Sequence, residues 1–236
     1  MCGRFTLHTK PADLQIAFRG FTFPDEIEPQ YNIAPSLNIL HVTNDGERTV
    51  SRARWGLVPF WATDAKIGNR MINARAETLA TKPAFRDAYQ HKRCLIIADG
   101  FFEWKKQADG KTKIPMYITL KSRQPFAFAG LWDTWKQPDG ERLKTCTIIT
   151  TEPNDLLTSI HNRMPVILQE NAYDLWLDPD TTEPEVLNGL LVPYPAEEMI
   201  AYPVADTVNS PRNDVKDCIE PVDAPTPAQP AQLSLL

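Results

Sequence analysis

The sequence predicts an α+β fold, with a single β-rich domain of antiparallel strands that is barrel-like and carries flanking helices. Three Asp-Gly pairs, Asp45-Gly46, Asp109-Gly110 and Asp139-Gly140, each separate two strand-like runs. An Asp-Gly turn supplies the positive φ that a tight hairpin needs, and hairpins join antiparallel strands. The predicted helices are few and surround the strands, which favours an α+β arrangement.

Eight runs are predicted to be strands, and six of them flank the three turns. They cover residues 38–43, 49–55, 94–98, 101–105, 114–120, 126–135, 144–151 and 165–168. Five segments are predicted to be helices: 11–18, 83–89, 154–160, 171–177 and 182–191. The first helix begins with Pro11 and stops before Gly20, as Pro and Gly prefer. Thr182 and Glu185 have the spacing of a capping box, which predicts that the last helix begins at Thr182.

The length of 236 residues and an apolar content of 42% suffice for one large core or two small ones. We predict one domain over residues 1–222, because from Pro221 the chain becomes rich in Pro and Ala and lacks core residues. Residues 223–236 are therefore expected to be a flexible tail. It ends in the apolar peptide Gln232-Leu233-Ser234-Leu235-Leu236, which we expect to bind a partner unless it is a frayed terminus.

Charge is distributed unevenly along the chain. Residues 1–169 hold 23 Lys and Arg against 17 Asp and Glu, whereas residues 170–236 hold 2 against 13. A basic body can carry a phosphate-binding face although the whole chain has a net charge of −5. The alternative is an uneven surface charge without a partner.

Several classes of protein are not expected. No apolar run approaches the ~20 residues that span a bilayer, and no signal peptide is recognisable. The four cysteines stand far apart, and none forms a CxxC pair. We therefore expect a cytoplasmic protein without a membrane partner, a metal site or an organic cofactor.

Cys2 follows the initiator and is a candidate nucleophile. Removal of Met1 would expose an α-amine and a thiol on adjacent carbons. The amine forms a Schiff base with an aldehyde, and the thiol then closes onto the imine carbon to give a thiazolidine ring. The alternative is that Met1 is retained and Cys2 is an ordinary residue.

Two further residues are candidates for proton transfer. Glu103 lies between aromatic residues in a predicted strand, where burial would raise its pKa and suit it to general acid–base work. His161 lies where a helix gives way to a strand, and Arg163 beside it could bind a phosphate. The alternatives are a Glu103 that points to solvent and a His161 without a role.

Asn73 and Arg75 are two residues apart and share a face in an extended segment, so they could hold a polar group and a phosphate. Trp55 and Trp61 could stack on bases, at ~1–3 kcal/mol per base. Aromatic residues of this kind are alternatively part of the core.

The combination and order of six motifs resemble the SOS response-associated peptidase (SRAP) family, from residue 2 to about 222. The motifs are Met1-Cys2-Gly3-Arg4-Phe5, Tyr31-Asn32-Ile33-Ala34-Pro35, Trp55-Gly56-Leu57-Val58-Pro59, Ile72-Asn73-Ala74-Arg75-Ala76-Glu77, Ala98-Asp99-Gly100-Phe101-Phe102-Glu103-Trp104 and His161-Asn162-Arg163-Met164-Pro165.

The resemblance implies a protein that loses Met1, binds single-stranded DNA with an abasic site, and crosslinks Cys2 to the ring-opened sugar as a thiazolidine. It implies that Asn73 orients the α-amine, that Glu103 shuttles protons, and that His161 assists near the sugar, in crosslink reversal or β-elimination. It also implies a nucleoid-associated bacterial protein. It further implies a set of DNA contacts, made by Arg4, Pro35, Trp55, Arg75, Thr150 and Arg163.

Two other functions remain open from the sequence. The N-terminal Cys2 with Asn73, Glu103 and His161 could form a peptidase or amidohydrolase, in which the thiol attacks a carbonyl. The chain could also be a non-catalytic binder of single-stranded DNA. The terminal peptide 232–236 is similar to those with which bacterial proteins bind the replication sliding clamp, although Leu236 stands where an aromatic residue is usual.

Overall fold

The computed structural model describes residues 2–223. Within them the chain forms thirteen strands and five α-helices. The strands are β1 (Phe5–Leu7), β2 (Gln30–Ile33), β3 (Asn38–Thr43), β4 (Ser51–Trp55), β5 (Asn73–Arg75), β6 (Arg93–Ala98), β7 (Gly100–Lys106), β8 (Lys113–Leu120), β9 (Phe126–Lys136), β10 (Arg142–Thr151), β11 (Met164–Pro165), β12 (Ile167–Leu168) and β13 (Met199–Pro203). The helices are α1 (Pro11–Ala17), α2 (Arg86–His91), α3 (Asp155–Thr158), α4 (Tyr173–Leu177) and α5 (Pro184–Gly189).

Five strands close into a barrel. The order β10-β4-β3-β6-β9 returns to its start because β9 also pairs with β10. Closure removes free strand edges from this part of the sheet. The predicted α+β class, β-rich and barrel-like with flanking helices, is thus confirmed.

A second sheet of five strands, in the order β13-β8-β7-β1-β2, packs beside the barrel. Its β7 is central, and β1 carries the N-terminus into the middle of this sheet. One large apolar cluster joins both sheets, and it includes Cys2, Phe5 and Phe101. The start of the chain is therefore part of the core.

The three predicted Asp-Gly hairpins are confirmed. Gly46, Gly110 and Gly140 have φ values of 91°, 67° and 93°, and they connect β3–β4, β7–β8 and β9–β10. Two strand pairs depart from the antiparallel pattern, because β10 pairs parallel with β4 and with β5. No hairpin joins these strands, so their relative direction was not fixed by a turn.

The predicted capping box is wrong. Helix α5 begins at Pro184 with Glu183 at the N-cap position and no side-chain cap, because Pro at the first helical position already fixes the start of the helix. The predicted strand 165–168 consists of two short strands instead. Val166 between them donates its N–H to Ile149 O at 2.9 Å, so the segment changes pairing partner.

Among residues 2–223 no helix is both long and apolar enough to cross a membrane. The predicted terminal peptide 232–236 lies outside the described residues, as does most of the predicted tail. The boundary at residue 222 and the binding of a clamp by the peptide stay predictions.

Candidate active site

Strand pairing brings the start of the chain to Glu103. Phe5 in β1 lies opposite Phe101 in β7, and Phe102 donates its N–H to Arg4 O at 2.9 Å. Because the strands are antiparallel, the same register continued toward the N-terminus places residues 2 and 3 alongside residues 103 and 104. Cys2 is fully buried there.

Asn73 fixes Cys2 from the other sheet. It lies on β5, where it pairs with Ile148 of β10, and its Nδ2 donates to Cys2 O at 2.8 Å. The Oδ1 atom of Asn73 is buried and has no hydrogen-bond partner among residues 2–223. An unpaired buried acceptor is costly unless a donor arrives, so this atom is available to an amine or to a ligand.

Glu103 is 3% exposed, and burial raises the pKa of its carboxyl. Its Oε2 lies 3.9 Å from Nε2 of His161. Burial also raises the pKa of the Cys2 thiol, and the charge of Glu103 raises it further. Both effects favour the protonated thiol, and the raised pKa of the Glu103 carboxyl suits that group to exchange protons.

His161 faces Glu103 from the segment between α3 and β11. Its Nδ1 accepts the N–H of Arg163 at 3.1 Å. The same Nδ1 lies 3.3 Å from Arg163 O, so either tautomer of the neutral ring has a backbone partner, and Nε2 is the ring nitrogen that faces Glu103. Burial lowers the pKa of His161, which favours the neutral ring at pH 7.

A cleft of about 580 Å³ opens beside these groups. It lies between the β7–β8 hairpin and the segment that leads from α3 to His161. Its lining residues are Glu103, Trp104, Lys106, Lys113, Thr158, Ser159, Ile160, His161 and Asn162. Glu103 and His161, the two candidates for proton transfer, therefore line the same solvent-accessible cleft.

The predicted arginines differ in their surroundings. Arg75 is exposed. Arg163 makes two bonds to Glu77, at 2.6 and 3.0 Å, and its Nη2 donates to Thr150 O at 2.6 Å. Arg4 is half-buried, and its Nη1 donates to Asn32 Oδ1 at 2.6 Å. Arg163 and Arg4 thus already have protein partners.

Two of the predicted DNA contacts, Trp55 and Thr150, have buried side chains. Trp55 is 0% exposed, and its Nε1 donates to Ile72 O at 2.8 Å, so its ring is part of the core. Thr150 is also 0% exposed and supports Arg163 instead. Trp61, in contrast, is 49% exposed. Pro35 is half-exposed at the start of a turn, and its contact with bases stays a prediction.

Residues 1–211 match the family described as "SOS response associated peptidase (SRAP)". This chain is a member of the SRAP family. A Bacillus subtilis relative, "Abasic site processing protein YoqW", is 53% identical over 223 residues, which are 93% of this chain and 99% of that protein. "Abasic site processing protein HMCES" of Gallus gallus is 32% identical, over 85% of this chain and 68% of that protein.

The SRAP fold is also found in a solved structure. A Bacteroides thetaiotaomicron protein superposes with a TM-score of 0.83 and 31% identity, over 94% of this chain and all of the other. Among residues 2–223 of this SRAP chain, no cluster of three or more His, Cys, Asp or Glu side chains has the arrangement of a metal site.

Sequence reasoning missed three charged residues of this SRAP site. Glu77 pairs with Arg163, while Lys106 and Lys113 line the cleft. A signal for the two lysines existed. They stand three residues before Asp109 and three after Gly110, so a two-residue turn places them opposite one another.

Proposed function

We propose that this chain captures abasic sites in single-stranded DNA as a covalent crosslink through Cys2, once Met1 has been removed. Relatives at 53% and 32% identity are named abasic site processing proteins, which supports an abasic lesion as the substrate. The observation that carries the proposal is the hydrogen bond from Asn73 to the Cys2 carbonyl. The carboxyl of Glu103 lies next to Cys2 as well. The crosslink shields the lesion during the response to DNA damage.

The proposed reaction is a condensation without oxidation or reduction. The lesion's sugar opens to an aldehyde, and the α-amine of Cys2 adds to it. Loss of water gives an imine. The Cys2 thiol then adds across the carbon–nitrogen double bond, and its proton passes to the nitrogen, so that a five-membered ring forms. The second addition is intramolecular and has a high effective concentration.

Glu103 and His161 supply the proton transfers of this reaction. Opening of the sugar removes a proton from its anomeric hydroxyl and adds one to the ring oxygen. A carboxyl with a raised pKa can perform both transfers. His161, with Nε2 at 3.9 Å from that carboxyl, completes the relay and is the residue placed to act in crosslink reversal or β-elimination.

The raised pKa of the Cys2 thiol favours crosslinking over a cysteine peptidase as the main activity. Such enzymes attack with a thiolate whose pKa is lowered by its surroundings, whereas burial and Glu103 raise the pKa of Cys2. In the proposed order the amine attacks first, and the thiol reacts only with the imine. Self-processing at Met1 is a separate step that intact mass measurement detects.

The test combines a mature protein with two oligonucleotides. Single-stranded DNA with an abasic site is expected to give a species that survives denaturation, and DNA with a tetrahydrofuran residue, which has no aldehyde, is expected to give none. Cys2→Ser should lose the durable adduct, because a hydroxyl closes the ring poorly. Cys218→Ser is the matched control, since Cys218 is equally buried but hydrogen-bonds to Asn213 O, in another apolar cluster.

Two results would refute the proposal. One is an undiminished adduct with Cys2→Ser. The other is an undiminished adduct formed by protein whose intact mass still includes Met1, because then no α-amine exists at Cys2.

A second proposal concerns the terminal peptide 232–236, which we expect to bind the replication sliding clamp. A pull-down of purified clamp with the full chain and with a chain lacking 232–236 tests this. Equal recovery of the clamp with both chains would refute it.

A further inference from the structure

Two lysines face each other at the mouth of the cleft. Lys106 at the end of β7 lies opposite Lys113 at the start of β8, and both side chains line the cleft with Glu103 and His161. Like charges that lie directly opposite in an antiparallel pair repel and destabilise it. The hairpin therefore carries a local cost that an anion bound between the two ammonium groups would remove.

Both ammonium groups are available to a ligand. Within residues 2–223, neither Lys106 nor Lys113 has a carboxylate within 4.0 Å or a side-chain hydrogen bond. Arg163, in contrast to the two lysines, is already bound by both carboxylate oxygens of Glu77. The cleft therefore has a neutralised cation near its His161 wall and a pair of unneutralised cations on the hairpin wall.

The charges of the lysine pair extend to the reacting groups. Burial is the first cause of the lowered pKa of His161, and the positive charges of Lys106 and Lys113 contribute to it. An ion held by this pair would therefore lie close to His161 and Glu103. A backbone phosphate next to the captured nucleotide fits this position, because its oxygens can accept from two ammonium groups at once.

We infer that Lys106 and Lys113 together bind the DNA phosphate that flanks the abasic nucleotide. This rests on the proposed function for the nature of the substrate. The pair positions the strand beside Glu103 and His161, which line the same cleft. Lys105 does not take part, because it is not among the residues that line the cleft.

The salt dependence of binding tests the pair. Fluorescence anisotropy of a labelled single-stranded oligonucleotide with a tetrahydrofuran residue measures affinity without crosslinking. Each phosphate contact contributes about 0.7 to the slope of log K against log salt for single strands. Because the pair is inferred to contact one phosphate, the Lys106→Gln/Lys113→Gln double variant should reduce the slope by about 0.7. The Lys105→Gln/Lys111→Gln double variant removes the same charge from the same hairpin and should leave the slope unchanged.

The position of the phosphate is tested by neutralising single linkages. A methylphosphonate at each linkage in turn removes one negative charge from the DNA. Wild-type protein should lose affinity most at a linkage adjacent to the tetrahydrofuran residue. The Lys106→Gln/Lys113→Gln variant should show no further loss at that linkage, because its charges are already absent.

Equal slopes for wild type and the Lys106→Gln/Lys113→Gln variant would overturn the inference, and so would equal losses in both double variants. The inference would also be overturned if a methylphosphonate at every linkage reduced the affinity of the Lys106→Gln/Lys113→Gln variant as much as it reduces that of wild type. These measurements use DNA that cannot react. A protein that binds through the lysine pair but forms no adduct with a true abasic site would refute the crosslinking proposal and leave the phosphate site standing.

Discussion

The floor of the cleft and its rim differ in how the fold holds their side chains. Glu103 on the floor and the neighbouring Cys2 are almost completely buried; strand pairing holds both segments, and Asn73 hydrogen-bonds to Cys2. On the rim, Lys106 and Lys113 are exposed and unpaired within residues 2–223. Reacting atoms need a fixed geometry, whereas charges that attract a flexible strand work from the surface. Floor substitutions should therefore change rates, and rim substitutions should change affinity.

The largest effect is expected at Glu103. Glu103→Gln retains the shape of the side chain but cannot exchange a proton, and general acid–base groups contribute about 10²–10⁴-fold in rate. Single-turnover crosslinking, followed by denaturing gel, should slow by that order. Affinity for tetrahydrofuran DNA should change little. If affinity fell as much as the crosslinking rate, Glu103 would be a binding group, and the difference between floor and rim would not hold.

Trp55 and Trp61 show the same contrast between interior and surface. Trp55→Ala leaves a cavity in the core and should destabilise the protein by about 3–5 kcal/mol, measured by urea unfolding. Trp61→Ala should leave stability nearly unchanged, because the side chain is about half exposed. If Trp61→Ala also lost several kcal/mol of stability, the exposed assignment would be wrong.

Trp61 should instead affect DNA binding. Stacking of a base on its ring is worth ~1–3 kcal/mol, so Trp61→Ala should weaken binding of single-stranded DNA in anisotropy by about five- to 150-fold. Trp61→Phe keeps a ring and should recover most of the affinity. Unchanged affinity in Trp61→Ala would exclude Trp61 from the DNA interface.

The buried carboxyl of Glu103 is also expected to make the folded protein less stable as pH rises. The pKa of Glu103 is raised in the folded protein, so between the ordinary Glu pKa and the raised value the native state binds more protons than the unfolded state. Stability therefore falls as pH rises through that window. Glu103→Gln should remove this part of the pH dependence and be more stable than wild type at pH 7, as thermal unfolding at several pH values would reveal. A less stable variant would contradict this.

The smallest effect is expected at Glu77 on the rim. Its side chain is 52% exposed, and an exposed ion pair contributes about 0–1 kcal/mol. Glu77→Gln should thus change stability only slightly. It should also release Arg163 for a phosphate and increase DNA affinity modestly at low salt. A loss of DNA affinity in Glu77→Gln would show that the pair itself is needed to orient Arg163.

The local parts of the fold were predictable from the sequence. The three Asp-Gly hairpins and the six strands that they join follow from turn chemistry and composition, which act over a few residues. Strands β1, β2, β5 and β13 were not predicted, because they are short and form only by pairing with distant segments. The parallel partners of β10 were missed for the same reason.

The sequence by itself determined the candidate chemistry, because a cysteine at position 2 and the order of six motifs are local features. Only the tertiary structure decided which side chains are accessible and which charges are already satisfied. It buried Trp55, gave Glu77 to Arg163, and left Lys106 and Lys113 facing the cleft. Burial and ion pairing depend on contacts between residues far apart in the chain, and no short stretch of sequence contains that information.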